Sequence, residues 1–385
     1  MRSIRQRIVL SVHLVMLVAV GGCSSILPPP AITDVSVLQR LALPASARWQ
    51  KLTTVAYRGK QDDISFIDNN VGWYGNGAGD LYRTLDGGDT WVKQFSQPGL
   101  FVRALGFVDE KHGFLGNVGT DYYPGVTETK PLFETVDGGQ SWRAVNGYAD
   151  SSVKGICAID ILKKKSIFQG NLVDRVIVHA AGRVGGPAFI LRSLDGGKTF
   201  QSLDINKEAG AILDIKFFDE MNGFVFAATN ADPALSHALI LRTKDGGATW
   251  TPVYVSKRPY ELTWKASFPT RDVGYVTIQS YDPDPAVTKR YVAKTEDGGA
   301  TWSEIPLIED ASVREFGIGF INERIGWVGT NIGGFETVDG GRSWARVEMG
   351  KAVNKIRVLP AKNGFVAYAI GVDVFKLSAD YLAAP

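Results

Sequence analysis

Thr84-Leu-Asp-Gly-Gly-Asp-Thr-Trp91 is written into this chain, with small variations, six times. The other copies are TVDGGQSW (Thr135–Trp142), SLDGGKTF (Ser193–Phe200), TKDGGATW (Thr243–Trp250), TEDGGATW (Thr295–Trp302) and TVDGGRSW (Thr337–Trp344). From Asp86 through Asp137, Asp195, Asp245, Asp297 and Asp339 the steps are 51, 58, 50, 52 and 42 residues. Recurrence on that scale marks a repeat architecture, in which each unit buries its apolar face only against its neighbours. An Asp followed by two glycines is turn chemistry, because glycine takes positive φ freely and the carboxylate accepts from backbone N–H groups just ahead of it. The flanks, such as LYRT before and TWVKQ after, alternate apolar and polar residues with β-branched and aromatic types enriched. Each copy therefore predicts a tight hairpin. The aromatic residue after the turn brings roughly 150–250 Å² of buryable surface. Five of the nine tryptophans stand there, which predicts the same packing contact in unit after unit.

A second piece recurs upstream: an apolar strand, a short polar turn, then glycine and an aromatic ring. It reads ISFIDNNVGW, ALGFVDEKHGF, DIKFFDEMNGF, KASFPTRDVGY, IGFINERIGW and RVLPAKNGF. The hairpin pattern Ser/Thr-x-Asp-x-Gly-x-Thr/Ser-Trp/Phe resembles the Asp-box, or BNR repeat, of β-propellers. Together with the upstream strand, the chain resembles the photosystem II stability/assembly factor family more than the sialidases. The resemblance covers nearly everything after the leader. It implies an all-β fold, a single seven-bladed β-propeller of four-stranded antiparallel blades.

The units lie at Ile64–Phe95, Val102–Val145, Val153–Leu203, Ile212–Val255, Leu262–Ile305 and Glu315–Val347. The third is lengthened by the insertion LKKKSIFQGNLVDR. The last piece, Asn354–Leu377, has three strands and no DGG turn. Its missing strand is expected at the other end of the chain. Ala47-Arg-Trp49-Gln-Lys-Leu52 reads like the segment after each DGG turn, so an N-terminal strand should close the ring and leave no long sheet edge exposed. The propeller is placed at residues 47–378, with a short tail at 379–385.

The first 22 residues read as a signal peptide: Arg2, Arg5 and Arg7, an apolar run Ile8–Val20, then Val20-Gly-Gly-Cys23. The ending resembles a lipoprotein lipobox, in which Cys23 becomes the acylated first residue, and several acyl chains give stable anchoring. Residues 23–46, with Pro28-Pro-Pro30, form the tether. The expected location is exported and membrane-anchored, at the outer membrane of a Gram-negative cell or the thylakoid or periplasmic side in a cyanobacterium. Cys157 is then the one cysteine left, in the apolar run GICAIDIL, and reads as a small buried hydrophobe. A net charge of +2 gives no field for nucleic acid.

Strand parity assigns the faces. With strands A to D counted from the centre, A–B turns and the DGG (C–D) turns share one face. B–C loops and blade-to-blade connections share the other. The variable B–C loops Asn117–Pro131, Ala180–Ala188, Thr229–Ala238 and Gln279–Arg290 have the character of binding loops on a rigid scaffold. The candidate binding face comprises Tyr122, Tyr123, Tyr281 and Asp282 from these loops. Arg103, Lys154, Arg314 and Lys355 join them from the entrances of the A strands, with Glu261 and Glu315 interspersed. The six Asp-box aspartates read as structural staples, since one carboxylate per turn supplies few ligands for Ca²⁺.

No HExxH, CxxC, GxSxG, GxGxxG or P-loop pattern is present, and His112, His179 and His237 share no metal-ligand spacing. The expectation is no catalytic residue, no metal, no cofactor and a monomer. The resemblance implies a non-enzymatic envelope scaffold that binds another envelope or membrane protein, photosystem II subunits if the organism is photosynthetic. The rival reading is a glycan-binding or glycoside-cleaving Asp-box propeller, with Asp121, Asp232, Asp282 and Asp284 as the carboxylates from which a catalytic pair would come.

Overall fold

The computed structural model describes residues 43–44, 47–55, 57, 59, 61–148, 152–168, 171–362 and 364–380. The leader, Cys23 and most of the expected tether lie outside them. The described strands form seven four-stranded antiparallel sheets, the blades of one propeller. After a short β1 (Gln50–Lys51), the first blade runs β2 (Asp63–Phe66), β3 (Gly72–Gly75), β4 (Asp80–Thr84) and β5 (Val92–Ser96), hydrogen-bonded in that order. β1 pairs with the strand Val374–Asp380, Gln50 opposite Lys376 and Lys51 opposite Phe375. The amino-terminal segment thus completes the seventh blade, and no blade is left a strand short. The last strand runs to Asp380, two residues past the boundary at 378 expected from the sequence.

A repeated sandwich of rings joins the blades. The Phe that ends an A strand stacks on the B-strand aromatic of the preceding blade: Phe107 on Trp73 at 3.6 Å, Phe217 on His179 at 3.7 Å and Phe320 on Tyr275 at 3.7 Å. The same Phe meets its own blade's Asp-box ring edge-on, as Phe107 meets Trp142 and Phe320 meets Trp344. Such pairs contribute about 0.5–1.5 kcal/mol each beyond area burial. Two blades lack the middle Phe, having Ile161 and Val358 there, and in both the outer rings touch directly: Phe114 with Phe200, and Trp327 with Trp49 at 5.4 Å. Trp49 therefore occupies the Asp-box tryptophan's place in the seventh blade.

The sandwich also explains the Gly-aromatic pairs. A Cβ on Gly72, Gly113, Gly223, Gly274 or Gly326 would lie 2.3–2.7 Å from the ring of the Phe six residues earlier. The glycine is required because that ring lies flat on the strand.

A polar hook joins the inner strands. The N–H groups on their free, channel-side edges have no sheet partner, and buried amides demand one. The preceding blade supplies it: Asp63 accepts from Leu105 N–H (2.9 Å), Asp160 from Phe217 N–H (2.9 Å) and Asp214 from Ala266 N–H (3.1 Å). Ser267 does the same for Phe320.

Candidate functional site

Each Asp-box is a closed hydrogen-bond unit. Thr84 Oγ1 donates to Asp86 Oδ1 (2.7 Å) and accepts from the Gly88 N–H (2.8 Å). Asp86 accepts from the Thr90 N–H (2.9 Å) and, through Oδ2, from the Thr90 hydroxyl (2.6 Å). Gly87 and Gly88 sit at φ 69° and 91°, which the turn needs. The same set recurs around Asp137, Asp195, Asp245, Asp297 and Asp339. The Thr90 hydroxyl bond, followed by the Thr90 amide, holds the Asp86 carboxyl down at about 2. These carboxylates are occupied locally. Among the described residues no group of three or more His, Cys, Asp or Glu side chains is placed to hold a metal ion.

The boxes and the A–B turns lie on one face, joined by bonds such as Gly87 N–H to Asn70 O and Gly138 N–H to Lys111 O. The opposite face carries the loop residues. There Tyr123 stacks on Phe101 at 4.7 Å and meets Tyr122 edge-on at 4.8 Å. The Arg314 guanidinium lies 4.9 Å from the centre of the Tyr281 ring. These rings belong to one cluster with Val118, Cys157, Leu262, Trp264 and Phe316, contributed by blades two to six, which plugs the channel at its loop end. Burial raises the phenol pKa of Tyr122, Tyr123 and Tyr281, keeping them neutral donors.

The structure divides the eight predicted face residues. Lys154 and Arg314 are exposed, while Tyr122, Tyr123, Tyr281 and Asp282 are half-buried and face the loop side. Arg103 and Lys355 correct the expectation of an open basic patch, being only 1% and 8% exposed. Arg103 is roofed by the plug, pairs with Asp62 and lies 5.2 Å over the Trp264 indole. The physical reason is convergence: seven inner strands meet around a narrow axis, so charges at their entrances face one another instead of solvent. Glu261 and Glu315 are also buried, Glu261 accepting from Arg258 Nε at 2.6 Å, and burial lifts Glu315 to about 8.

Counting back from the Phe position of each A strand orders the channel into layers. Four residues back stand Asp62, Arg103, Cys157, Leu213, Trp264, Phe316 and Asn354, the floor of the plug. Three back, Asp63, Asp214, Lys265 and Lys355 face one another among Ala104, Ala158 and Gly317. One back, toward the A–B turns, come Ser65, Gly106, Asp160, Lys216, Ser267, Gly319 and Arg357. Sequence reasoning missed this polar lining. Its signal was available: polar residues at fixed offsets inside strands that otherwise read as fully apolar.

Fold and channel together define a single seven-bladed propeller of Asp-box repeats, closed at one end of its axis by aromatic rings. No family model and no curated protein matches the sequence. Among solved structures the chain is similar to YCF48 bound to a D1 peptide, with a TM-score of 0.59 at 18% identity over 90% of this chain and 100% of that one. It is similar likewise to YCF48 from Cyanidioschyzon merolae, with a TM-score of 0.60 at 15% identity over 86% and 99%. The GH74 xyloglucanase from Xanthomonas campestris gives a TM-score of 0.57 at 13% identity, over 88% of this chain and 55% of the enzyme. At these identities the shared property is the propeller fold.

Proposed function

We propose that the protein is an exported, non-enzymatic scaffold, anchored to an envelope membrane through acylated Cys23, whose loop face receives a protein partner. The observation that carries this is the Tyr281–Arg314 stack beside the Tyr122–Tyr123 pair, set on a rigid apolar plug. Aromatic rings and arginine in a preformed patch are what protein interfaces concentrate. Lys154, exposed, joins the same face. The likeness to YCF48 bound to a D1 peptide supports a peptide segment as the thing received, and in a photosynthetic organism a photosystem II subunit as its source. In any other organism the partner is a different envelope protein.

A glycosidase is the second reading, favoured by the likeness to GH74 enzymes. Against it, Asp232, Asp282 and Asp284 each accept a backbone N–H from two residues ahead and so build their own loop turns. Site-specific crosslinking in the native cell tests the scaffold. A partner captured from the Tyr122 loop should be lost in Arg314→Glu and Tyr281→Ala. Arg103 is unsuitable for this test, since its buried pairing with Asp62 makes folding the first casualty. Turnover of a glycan by the purified protein refutes the scaffold. A Cys23→Ser protein that still fractionates with membranes refutes the anchor.

A further inference from the structure

The plug closes one end of the axis, and the other end opens between the A–B turns on the Asp-box face. A cavity of about 280 Å³ lies there, lined by Asp160, Asp214, Lys216, Ser267, Lys355 and Arg357 together with isoleucines of the inner strands. This is room for several waters or for a short organic acid, and far below what a polysaccharide needs.

The charges around this cavity do not balance. Lys216 and Asp160 pair at 2.9 Å. Among the described residues that leaves three cations, Lys265, Lys355 and Arg357, against two carboxylates, Asp63 and Asp214, an excess of one positive charge. Lys265 is well held, its Nζ donating to Leu213 O at 2.7 Å and Cys157 O at 3.3 Å. Arg357 donates through Nε to Ile64 O and through Nη2 to Asp63. Lys355 is different. It is 8% exposed, and its carboxylate contact among the described residues is Asp214 Oδ1 at 3.6 Å, longer than a hydrogen bond. A largely buried ammonium with unused donors beside two other cations gives up its proton, binds water, or accepts an anion, and of these the anion also offsets the excess charge.

The geometry points to a binding site for one carboxylate in this cavity, its oxygens on Lys355 and the Ser267 hydroxyl, its short aliphatic part against Ile159, Ile215 and Ile318. A single negative charge matches the single excess positive one. The isoleucines favour a carboxylate on a carbon chain over an inorganic anion. The site lies on the face opposite the Tyr281–Arg314 patch and does not depend on the scaffold reading, so either can fail alone. The carboxylate belongs to a free short-chain acid or to the end of a peptide.

Burial, and after it the nearby Arg357, lowers the Lys355 amine to about 8. Asp214, Lys265 and Asp63 are the other charged groups facing it. Bound anion favours the protonated amine, so affinity should be steady from about pH 6, where the ligand is fully ionised, to pH 8 and fall about tenfold per unit above it.

Calorimetric titration of the full chain with butyrate, with its uncharged isostere butyramide, and with a short peptide having a free or an amidated C-terminus tests the proposal. The expected result is binding of butyrate and not butyramide, weakened about tenfold or more by Lys355→Met, a loss on the order of one charged hydrogen bond. Binding of the free-ended peptide alone, with the same dependence on Lys355, upholds the site and identifies a peptide as the source. Equal binding of butyramide, indifference to Lys355→Met, or no binding of any carboxylate overturns it. The alkaline loss of affinity is read on the unaltered protein, so the test stands even if the variant folds poorly.

Discussion

Glu315 should make this protein less stable as the solution becomes more alkaline, and Glu315→Gln should remove the effect. Glu315 is fully buried in the A strand of the sixth blade, and among the described residues neither carboxyl oxygen has a hydrogen-bond partner. Desolvation lifts its folded-state pKa from 4.5 to about 8. The sign follows from proton counting. Between those values the native state holds the proton and the unfolded state has lost it, so stability is fully present below pH 4.5 and drains away until pH 8. At about 1.4 kcal/mol per unit the loss is roughly 3 kcal/mol at pH 7 and about 5 kcal/mol once pH 8 is passed. Glutamine keeps the shape and stays neutral in both states. For about 330 ordered residues the unfolding entropy is on the order of 0.7 kcal/mol per degree, so Glu315→Gln should melt roughly 4–5 °C above the parent at neutral pH. Below about pH 5 the two should coincide. The assay is a thermal or urea denaturation series of both proteins across this range, read as their difference so that every other titrating group cancels. Parallel profiles from acid to alkaline pH, or a variant less stable at neutral pH, would show that Glu315 is solvated or paired in solution and refute the reasoning.

Three further outcomes rest on the repeated contacts. Thr243→Val removes the acceptor of the Gly247 N–H and a donor to Asp245, leaving a buried amide unmatched, and should cost about 1–3 kcal/mol in denaturant unfolding. Gly274→Ala drives a methyl to 2.3 Å from the Phe268 ring and should cost about 1–3 kcal/mol by overpacking, with a midpoint shift at unchanged slope. Trp49→Ala removes the ring that meets Trp327 edge-on and should cost about 3–5 kcal/mol. Because that ring belongs to the strand closing the circle, limited proteolysis should then cut first between the amino terminus and residue 62.

Why some of this was legible from the sequence and some was not comes down to the range of the interactions. The DGG turn is local: four residues after Thr84 the chain has returned to bond it, so composition and spacing carry the whole device. The ring sandwich is nearly as readable, since Gly-aromatic and DGG-Trp recur at regular distances. Even the missing strand was recoverable, because Trp49 sits in a context that only makes sense after a DGG turn. The candidate site was harder. Strand parity, a topological argument that needs no coordinates, sends Tyr122, Tyr281 and Arg314 to one face, and in the structure Arg314 lies over the Tyr281 ring, whose cluster includes Tyr122. Parity says nothing of radius. Arg103 and Lys355 were placed at the right end of the right strands, yet whether a strand entrance is a surface or an interior depends on how close seven strands come to a common axis. Asp62 and Arg103 are 41 positions apart and meet because consecutive blades pack together, whereas Asp214 and Lys355 are 141 apart, on the fourth and seventh blades, and meet because the ring closes. The Asp214–Lys355 contact is a consequence of closure, which the sequence supports only by inference. Once the seven strands are aligned on their terminal Phe positions, the layers of the channel can be read from the sequence after all, with the uncompensated Lys355 three residues back from that position.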